Sequence, residues 1–166
     1  MDLTCRDVMV PPDIQRTVSP DASVATAFNI IKQSRARFLP VVDDNGTYVG
    51  VFSAPTLLKL ILPKAALINH SFEPSRFETL NFFSLSKSDF EAQLAGLKHE
   101  RVRDNMSLPE NIPVAAPDTP VMEGIFRIHK FKRHLMLVEP GTGKFVGTVS
   151  ANSILDQVLG DATIEE

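Results

Sequence analysis

The chain has 166 residues, of which 43% are hydrophobic, 17 are Lys or Arg, 20 are Asp or Glu, and one, Cys5, is a cysteine. A chain of this length buries roughly 70% of its unfolded surface, so it needs neither disulfides nor a structural metal to fold. A single cysteine excludes a disulfide scaffold and fits a reducing cytoplasm. The net charge of −3 argues against a nucleic-acid partner, because it gives no general positive field for phosphate backbones.

The sequence also lacks the apolar stretches that target or span a membrane. Acidic residues lie within the first seven positions, where a signal peptide carries positive charge before its apolar core. The longest apolar stretch, around residues 57–68, is broken by Lys59, Pro63 and Lys64. It is shorter than the ~20 apolar residues that cross a bilayer. We expect a soluble, cytoplasmic protein without a membrane partner.

The sequence repeats itself at an offset of 97 residues without a gap. Residues 6–9 align with residues 103–106, and the shared positions further on are turn residues, caps and apolar anchors: Pro20 and Asp21 with Pro117 and Asp118, Gly46 with Gly143, Gly50 with Gly147, and Ser53 with Ser150. This offset is too long for the period of a solenoid. Two copies of one supersecondary unit, separated by a unique segment, explain it better.

The first half of each copy predicts a short strand and a helix. In the first copy, a helical turn over residues 4–9 precedes a β-rich stretch over residues 15–18. Asp21 and Ser23 then supply N-cap chemistry. The apolar residues that follow have helical spacing in both copies: Val24, Ala27, Phe28 and Ile31 in the first, and Val121, Gly124, Ile125 and Ile128 in the second.

The second half of each copy predicts a hairpin and another helix. Residues 38–42 indicate a buried strand, residues 43–46 a turn, and residues 48–52 the returning strand. Pro55 suits the first turn of the next helix. The apolar side of that helix is Leu57, Leu58 and Ile61 in the first copy, and Ile154, Leu155 and Val158 in the second. Each copy is therefore a β-α-β-β-α unit, and the fold class is α+β.

The order of these patterns resembles the CBS domain, named for cystathionine β-synthase. The residues that carry the resemblance are Asp-Val-Met at 7–9, Val-Ser-Pro-Asp at 18–21, Leu-Pro-Val-Val-Asp at 39–43 and Val-Gly-Val-Phe-Ser at 49–53. The resemblance covers about residues 4–62 and 101–160. It implies a CBS pair: unit 1 over residues 1–62, a Phe-rich insert over 63–100, and unit 2 over 101–166, with the units packed about a pseudo-two-fold axis.

The resemblance implies a regulatory module rather than an enzyme. CBS pairs leave two clefts between their units, and many bind adenosine nucleotides there, so AMP, ADP or ATP is the expected ligand. Many form homodimers through the helices that follow the Ser turns. The protein that such a module would regulate has no signal in the sequence. The alternative is a dimerisation or protein-interaction module without a ligand.

The nucleotide motif of the family is incomplete in both copies. The motif reads Gly, two apolar residues, Ser or Thr, two residues of any type, then Asp or Asn, whose oxygen accepts from the ribose hydroxyls. Thr56 and Ser153 occupy this last position here. The loss of a charged acceptor costs on the order of 1.5–3 kcal/mol, which weakens nucleotide binding. Asn152 lies one position early, and a shift of about 100° on a helix turns it away.

Basic residues before the second strand of each copy are candidates to hold a phosphate. The offset pairs Arg37 with His134, and Arg133 lies beside them. The alternative is a solvated helix end, where positive side chains oppose the helix dipole; this is the favoured interpretation for Lys130 and Lys132. The full candidate ligand site is Thr17, Val18, Arg37, Gly50, Ser53, Thr56, Val114, Arg133, His134, Gly147, Thr148, Ser150 and Ser153.

No catalytic or metal site is predicted. The four His residues lack the spacing of a zinc site, and the turns at Ser53 and Ser150 lack the GxSxG pattern of a catalytic serine. No glycine-rich phosphate loop is present. Cys5 is expected to be a buried structural residue. The sequence therefore predicts a binding function.

The segment over residues 63–100 holds five of the eleven Phe residues: Phe72, Phe77, Phe82, Phe83 and Phe90. A helix with Phe90, Leu94 and Leu97 on its apolar side, after a cap at Ser86 or Ser88, is predicted within it. A plain linker does not need so many rings. The segment packs on its own chain, covers a ligand cleft, or contacts a second chain.

Overall fold

The structure is a computed structural model that describes residues 2–61 and 87–160. The first unit contains helix α1 (Val24–Ser34), strands β1 (Phe38–Val42) and β2 (Tyr48–Ser53), and helix α2 (Ala54–Ile61). Helix α3 (Lys87–Gly96) follows. The second unit contains β3 (Val114–Ala115), α4 (Val121–Phe131), β4 (Leu135–Val138), β5 (Phe145–Val149) and α5 (Ala151–Leu159). None of these helices is long and apolar enough to cross a membrane.

Each unit has a small sheet. Strands β1 and β2 are antiparallel, as are β4 and β5, while β3 is parallel to β4. The predicted β-rich stretch over residues 15–18 contributes only one parallel bridge, from Val18 to Val41. The α+β fold of two such units is confirmed: the second unit has the full β-α-β-β-α order, and in the first unit the Val18 bridge takes the place of the leading strand.

Local sequence accounts for the ends of these elements. The Ser23 hydroxyl caps α1 by accepting from the Thr26 amide at 3.1 Å, while Asp21 forms an ion pair with Arg103 instead. The turn between β1 and β2 is held by Asp43, whose carboxylate accepts from the amides of Asn45 and Thr47. Such turns are typical of Asp, because its side chain replaces a backbone acceptor.

The leading segments of the two copies are exchanged. The Cys5 amide donates to the Thr119 carbonyl at 2.8 Å, and the Val102 amide donates to the Ala22 carbonyl at 3.0 Å. These two hydrogen bonds are related by the offset of 97. A second matched pair runs from the Val10 amide to Thr148 O and from the Ser107 amide to Val51 O, both at 2.8 Å. Each leading segment therefore joins the body of the other unit.

The pseudo-two-fold axis passes between two hairpin positions. Thr47 bridges to Lys144, which is its own partner in the repeat. Two hydrogen bonds related by the same offset flank this bridge: Tyr48 N to Gly143 O at 3.0 Å, and Phe145 N to Gly46 O at 2.9 Å. Two positions related by the sequence repeat are in contact here. The two copies are therefore related in space by a rotation about an axis that passes between them.

Three apolar clusters form the core. The first unit buries Val18, Val24, Ala27, Leu39, Val41, Phe52, Leu57, Leu97 and Val102. The second unit buries Cys5, Val8, Ala115, Leu135, Leu137 and Val149. Between the sheets lie Tyr48, Val51, Ile112 and Met136. The first two clusters each contain residues from the opposite copy's leading segment, so neither unit closes its core alone. The boundaries over 1–62, 63–100 and 101–166 stay a prediction.

The end of the intervening segment packs on its own chain. Leu97 is buried in the first cluster, and Leu94 of α3 packs against it. A helix is present where it was predicted, at Lys87–Gly96, but Leu97 follows it in a separate 3-10 turn. Phe72, Phe77, Phe82 and Phe83 lie outside the described residues, as does the side chain of Phe90.

Two glycines lie directly beneath the exchanged segments. A Cβ atom on Gly50 would lie 2.5 Å from the Ser107 backbone oxygen, and one on Gly147 would lie 2.8 Å from the Met9 sulfur. The first neighbour is backbone held in a ladder, whereas the second is the end of a flexible side chain. The two equivalent positions therefore differ in how much they tolerate a side chain.

We expect Gly50→Ala to lower the free energy of unfolding by about 2–3 kcal/mol, because the Ser107 segment must shift. Gly147→Ala should cost about 1 kcal/mol or less, because Met9 can rotate away. Gly96→Ala is the control: nothing lies within 4 Å of that Cβ position, so the free energy should change by less than about 1 kcal/mol. Urea unfolding measures all three, and equal losses at Gly50 and Gly147 would contradict the exchanged-segment contact.

Tyr48 places an unpaired hydroxyl in the cluster between the sheets. Its side chain is 8% exposed, and its oxygen has no hydrogen-bond partner among the described residues. Phe145 occupies the matched position in the second unit, with the two rings 6.3 Å apart. Burial raises the pKa of Tyr48 from 10.0 to about 12.

Tyr48→Phe should raise the free energy of unfolding by about 1–2 kcal/mol, because it removes a buried hydroxyl without a partner. The wild type should also lose stability between pH 10 and about 12, since the unfolded chain gives up the phenolic proton first. The variant should lack this loss. The chain has one Tyr and no Trp, so tyrosinate absorbance follows Tyr48 directly. A midpoint near pH 10 in the folded protein would show a hydrated hydroxyl.

Candidate functional site

Within the part of the chain that the structure describes, residues from both units line two clefts. We call the larger one, of about 570 Å³, the polar cleft; it is lined by Val10, Ile14, Gln15, Arg16, Ser34, Ala36, Arg37, Phe38, His134, Thr148, Ser150 and Asn152. We call the smaller one, of about 230 Å³, the apolar cleft; it is lined by Arg37, Phe38, Val51, Ser53, Ser107, Ile112, Lys132, Arg133, His134 and Met136. The offset relates many of these residues, so the clefts are pseudo-symmetric.

The matched positions of the two clefts differ in chemistry. The polar cleft has Gln15, Thr148 and Asn152, and the residues at the same positions of the other copy are Ile112, Val51 and Pro55. Arg16 is matched by Pro113. Of these positions, two line both clefts: the polar cleft has Gln15 and Thr148 where the apolar cleft has Ile112 and Val51.

The two Ser turns are used as helix caps. The Ser150 hydroxyl accepts from the Ser153 amide at 3.0 Å, and the Ser153 hydroxyl accepts from the Ser150 amide at 2.9 Å. In the first unit, the Ser53 hydroxyl accepts more weakly from the Thr56 amide, at 3.4 Å. Ser53 and Ser150 also line the clefts, but Ser153 and Thr56 are not among the lining residues. The departures from the family motif thus coincide with residues that serve the caps.

Asn152 lines the polar cleft, so the expectation that its position turns it away is wrong. The capping pair fixes the Ser153 side chain inward, where it is 5% exposed. Successive side chains on a helix are about 100° apart. With Ser153 inside, Asn152 faces outward into the cleft. An amide oxygen is therefore available there to accept hydrogen bonds.

Arg37, Phe38 and His134 form a wall shared by both clefts. The rings of Phe38 and His134 have centroids 4.5 Å apart at an angle of 46°. Burial lowers the pKa of His134 below 6.5, and the positive charge of Arg37 lowers it further. His134 is therefore mainly neutral at pH 7.

The residues that precede Val18 anchor one end of the polar cleft. The Thr148 hydroxyl donates to Gln15 Oε1 at 2.7 Å, which ties this segment to β5. Gln15 Nε2 donates to the Arg16 carbonyl at 3.0 Å. The Arg16 guanidinium in turn donates to the carbonyls of Asp13 and Ile14, each at 3.2 Å. These bonds hold a second guanidinium at the cleft.

Several candidate site residues lie elsewhere. Thr17 is exposed and Val18 is buried in the first core cluster. Val114 packs against the cluster between the sheets and lines a separate cavity beside α4. Gly50 and Gly147 contact the exchanged segments. The structure thus brings together Arg37, His134, Thr148 and Ser150 in the polar cleft, and Arg37, Ser53, Arg133 and His134 in the apolar cleft.

Gln15, Arg16 and Asn152 are cleft residues that were not predicted. The signal for them was present in the repeat: each is a polar residue whose partner at the offset is Ile or Pro. A difference between copies marks residues that the shared fold does not require. The sequence could not indicate that residues 10–16 lie against the second unit, because this depends on the exchange of leading segments in the tertiary structure.

The described residues give no evidence of a metal site or of a reactive thiol. Among residues 2–61 and 87–160, no three His, Cys, Asp or Glu side chains are grouped so as to hold a metal ion. Cys5 is buried, and burial raises the pKa of its thiol. A thiol with a raised pKa is a poor nucleophile at neutral pH.

Comparison with known proteins agrees with this architecture. In a comparison of solved structures, the CBS-pair protein CBSX2 from Arabidopsis thaliana superposes with a TM-score of 0.70 at 22% identity, covering 96% of both chains. CBSX2 in complex with AMP gives 0.65 at 24% identity, over 94% of this chain and 96% of that one. A CBS domain-containing protein of unknown function from Bacillus anthracis gives 0.67 at 18% identity, over 94% and 92%.

Comparison of sequences places the family in the first unit. No curated protein matches the chain. The family model of the CBS domain matches residues 5–63, which span the first unit from the Cys5 turn to the end of α2. Together with the fold shared along the whole chain, this match shows a CBS domain over residues 5–63 in a chain that has the fold of a CBS pair.

Proposed function

We propose that this protein is a cytoplasmic regulatory module that senses an adenosine nucleotide or a related phosphate ligand in the polar cleft. The observation that carries the proposal is the set of groups lining that cleft: two guanidinium groups, from Arg16 and Arg37, together with hydroxyl and amide groups. The complex of the structural relative CBSX2 with AMP supports the ligand class.

The proposed binding mode assigns each lining group a chemical task. Arg37 and Arg16 would hold the phosphate, because guanidinium pairs with phosphate oxygens through two hydrogen bonds. Asn152 would accept from the ribose hydroxyls in place of the carboxylate that the family motif carries. An amide is a neutral acceptor, and bonds to neutral groups are about half as strong as bonds to charged ones. We therefore expect a weak nucleotide site.

The position of the cleft explains how a ligand would act as a signal. Its lining comes from the leading segment of the first copy, from the start of β1, and from β5 and α5 of the second unit. A ligand that contacts all of them stabilises one arrangement of the units. Ligand at 100 times Kd adds about 2.7 kcal/mol of stability to the bound state. The regulated protein would respond to the change in the arrangement of the two units.

The alternative, a dimerisation or protein-interaction module without a ligand, is favoured by one observation. Of the six apolar residues predicted on α2 and α5, Leu57 is buried and Ile61 and Ile154 pack on the core clusters. The others are exposed: Leu58 by 64%, Leu155 by 52% and Val158 by 48%. Exposed Leu and Val on both helices fit a contact with a second copy. A homodimer is compatible with either function.

The test of nucleotide sensing is a thermal-shift panel of AMP, ADP, ATP and S-adenosylmethionine, followed by calorimetry on Arg37→Gln. We expect at least one adenosine nucleotide to raise Tm. Arg37→Gln should weaken its binding by roughly 10- to 100-fold, because a charge-assisted contact is lost. Lys130→Gln is the matched control, since Lys130 lines the separate cavity beside α4. If none of the four compounds raises Tm, the ligand-free alternative is favoured.

The position of the ribose acceptor is tested by two neighbouring substitutions. Asn152→Asp should tighten AMP by about tenfold, because it supplies a carboxylate at the cleft. Ser153→Asp should give no gain, because that side chain is turned into the helix cap. Inorganic phosphate, which has no ribose, should bind Asn152→Asp no more tightly than wild type. If Ser153→Asp tightens AMP and Asn152→Asp does not, the assignment of the two positions is reversed.

The homodimer is tested by light scattering at micromolar concentration, where we expect twice the chain mass of 18.3 kDa. Leu58→Lys combined with Leu155→Lys should give monomer, since both substitutions place charge in the proposed contact. Met122→Lys is the control, because Met122 is 74% exposed on α4 and should leave the mass unchanged. A wild-type mass of 18.3 kDa would exclude the dimer.

A further inference from the structure

The apolar cleft combines a hydrocarbon floor with a basic rim. Its floor consists of Val51, Ile112 and Met136, which are 6%, 7% and 1% exposed. Basic side chains line it as well, namely Arg37, Lys132 and Arg133. A site with one apolar side and one positively charged side complements a ligand with the opposite arrangement, an apolar body that ends in an anion.

The same cleft lacks what a nucleotide needs. Its lining contains no carboxylate and no side-chain amide. Ser53, one of its two hydroxyl residues, is already paired with Thr56 at 3.1 Å. Apart from the Ser107 hydroxyl and the His134 ring, the ribose hydroxyls and the polar edge of adenine would find few acceptors there, and each unpaired buried group costs binding energy. The polar cleft is the better nucleotide site.

The volume of the cleft limits the size of its ligand. Drug-sized ligands occupy pockets of about 300–1,000 Å³, whereas the apolar cleft has about 230 Å³. The cleft is therefore suited to a ligand smaller than a drug-sized molecule. A ring or a short alkyl chain with one carboxylate has that size.

We propose that the apolar cleft is a second ligand site, specific for a small apolar carboxylate whose body covers Val51, Ile112 and Met136 and whose anion pairs with Arg133 and Lys132. The two clefts of the pair then recognise different ligand classes, and the wall of Arg37, Phe38 and His134 is common to both. The site does not depend on nucleotide binding in the polar cleft.

The experiment is methyl NMR on the full chain labelled at Ile, Val, Met and Thr, titrated separately with benzoate, benzamide and AMP. We expect benzoate to shift the Val51, Ile112 and Met136 methyls with an affinity at least about tenfold above that of benzamide, which has the same shape without the charge. AMP should instead shift the methyls of Ile14 and Thr148 in the polar cleft. The two proposals are thus judged on different signals.

Two variants complete the test. Arg133→Gln should weaken benzoate about fivefold or more, while Lys130→Gln, outside the cleft, should not change it. Both residues are exposed, so folding is retained. The proposal is overturned if benzoate leaves the Val51, Ile112 and Met136 methyls unshifted at about 10 mM, if benzamide binds equally well, or if AMP shifts those methyls in place of Ile14 and Thr148.

Discussion

The whole arrangement depends on the exchange of leading segments between the two copies. The Cys5 and Val102 turns each hydrogen-bond to the body of the other copy, and each is buried in the opposite core. Neither β-α-β-β-α unit has a complete core until the other is present. A repeat that began as two similar sequences is therefore one cooperative structure. The clefts exist because two units are held face to face by these segments.

The exchange also explains why the polar cleft draws on distant parts of the chain. Residues that follow the first leading segment are carried across to β5, where the Thr148 hydroxyl bonds to Gln15. The same segment brings Arg16 near Ser150 and Asn152. A molecule bound there contacts both units and the segment that joins them. The proposed sensing function relies on this geometry, because a ligand that contacts both units would favour one arrangement of the pair.

The two copies share a fold but not a surface chemistry. Positions that hold the fold are alike in both: Gly50 and Gly147 admit the exchanged segments, and Ser53 and Ser150 accept hydrogen bonds from the first turns of α2 and α5. Positions that face the clefts differ, with Gln15 against Ile112 and Thr148 against Val51. The proposal that the two clefts take different ligands rests on these differences in their lining.

The sequence by itself determined the units, because their patterns are local. Helical spacing at Val24, Ala27 and Ile31, the turn at Asp43 and the hairpin strands depend on neighbours within a few residues, and the repeat fixed how often they occur. Tertiary structure alone decided which cleft is polar, because the segment with Gln15 and Arg16 crosses to the other unit. It also decided that Asn152, rather than Ser153, faces the cleft. That choice follows from a reciprocal cap between Ser150 and Ser153, and side-chain direction at a helix start depends on such contacts rather than on sequence order.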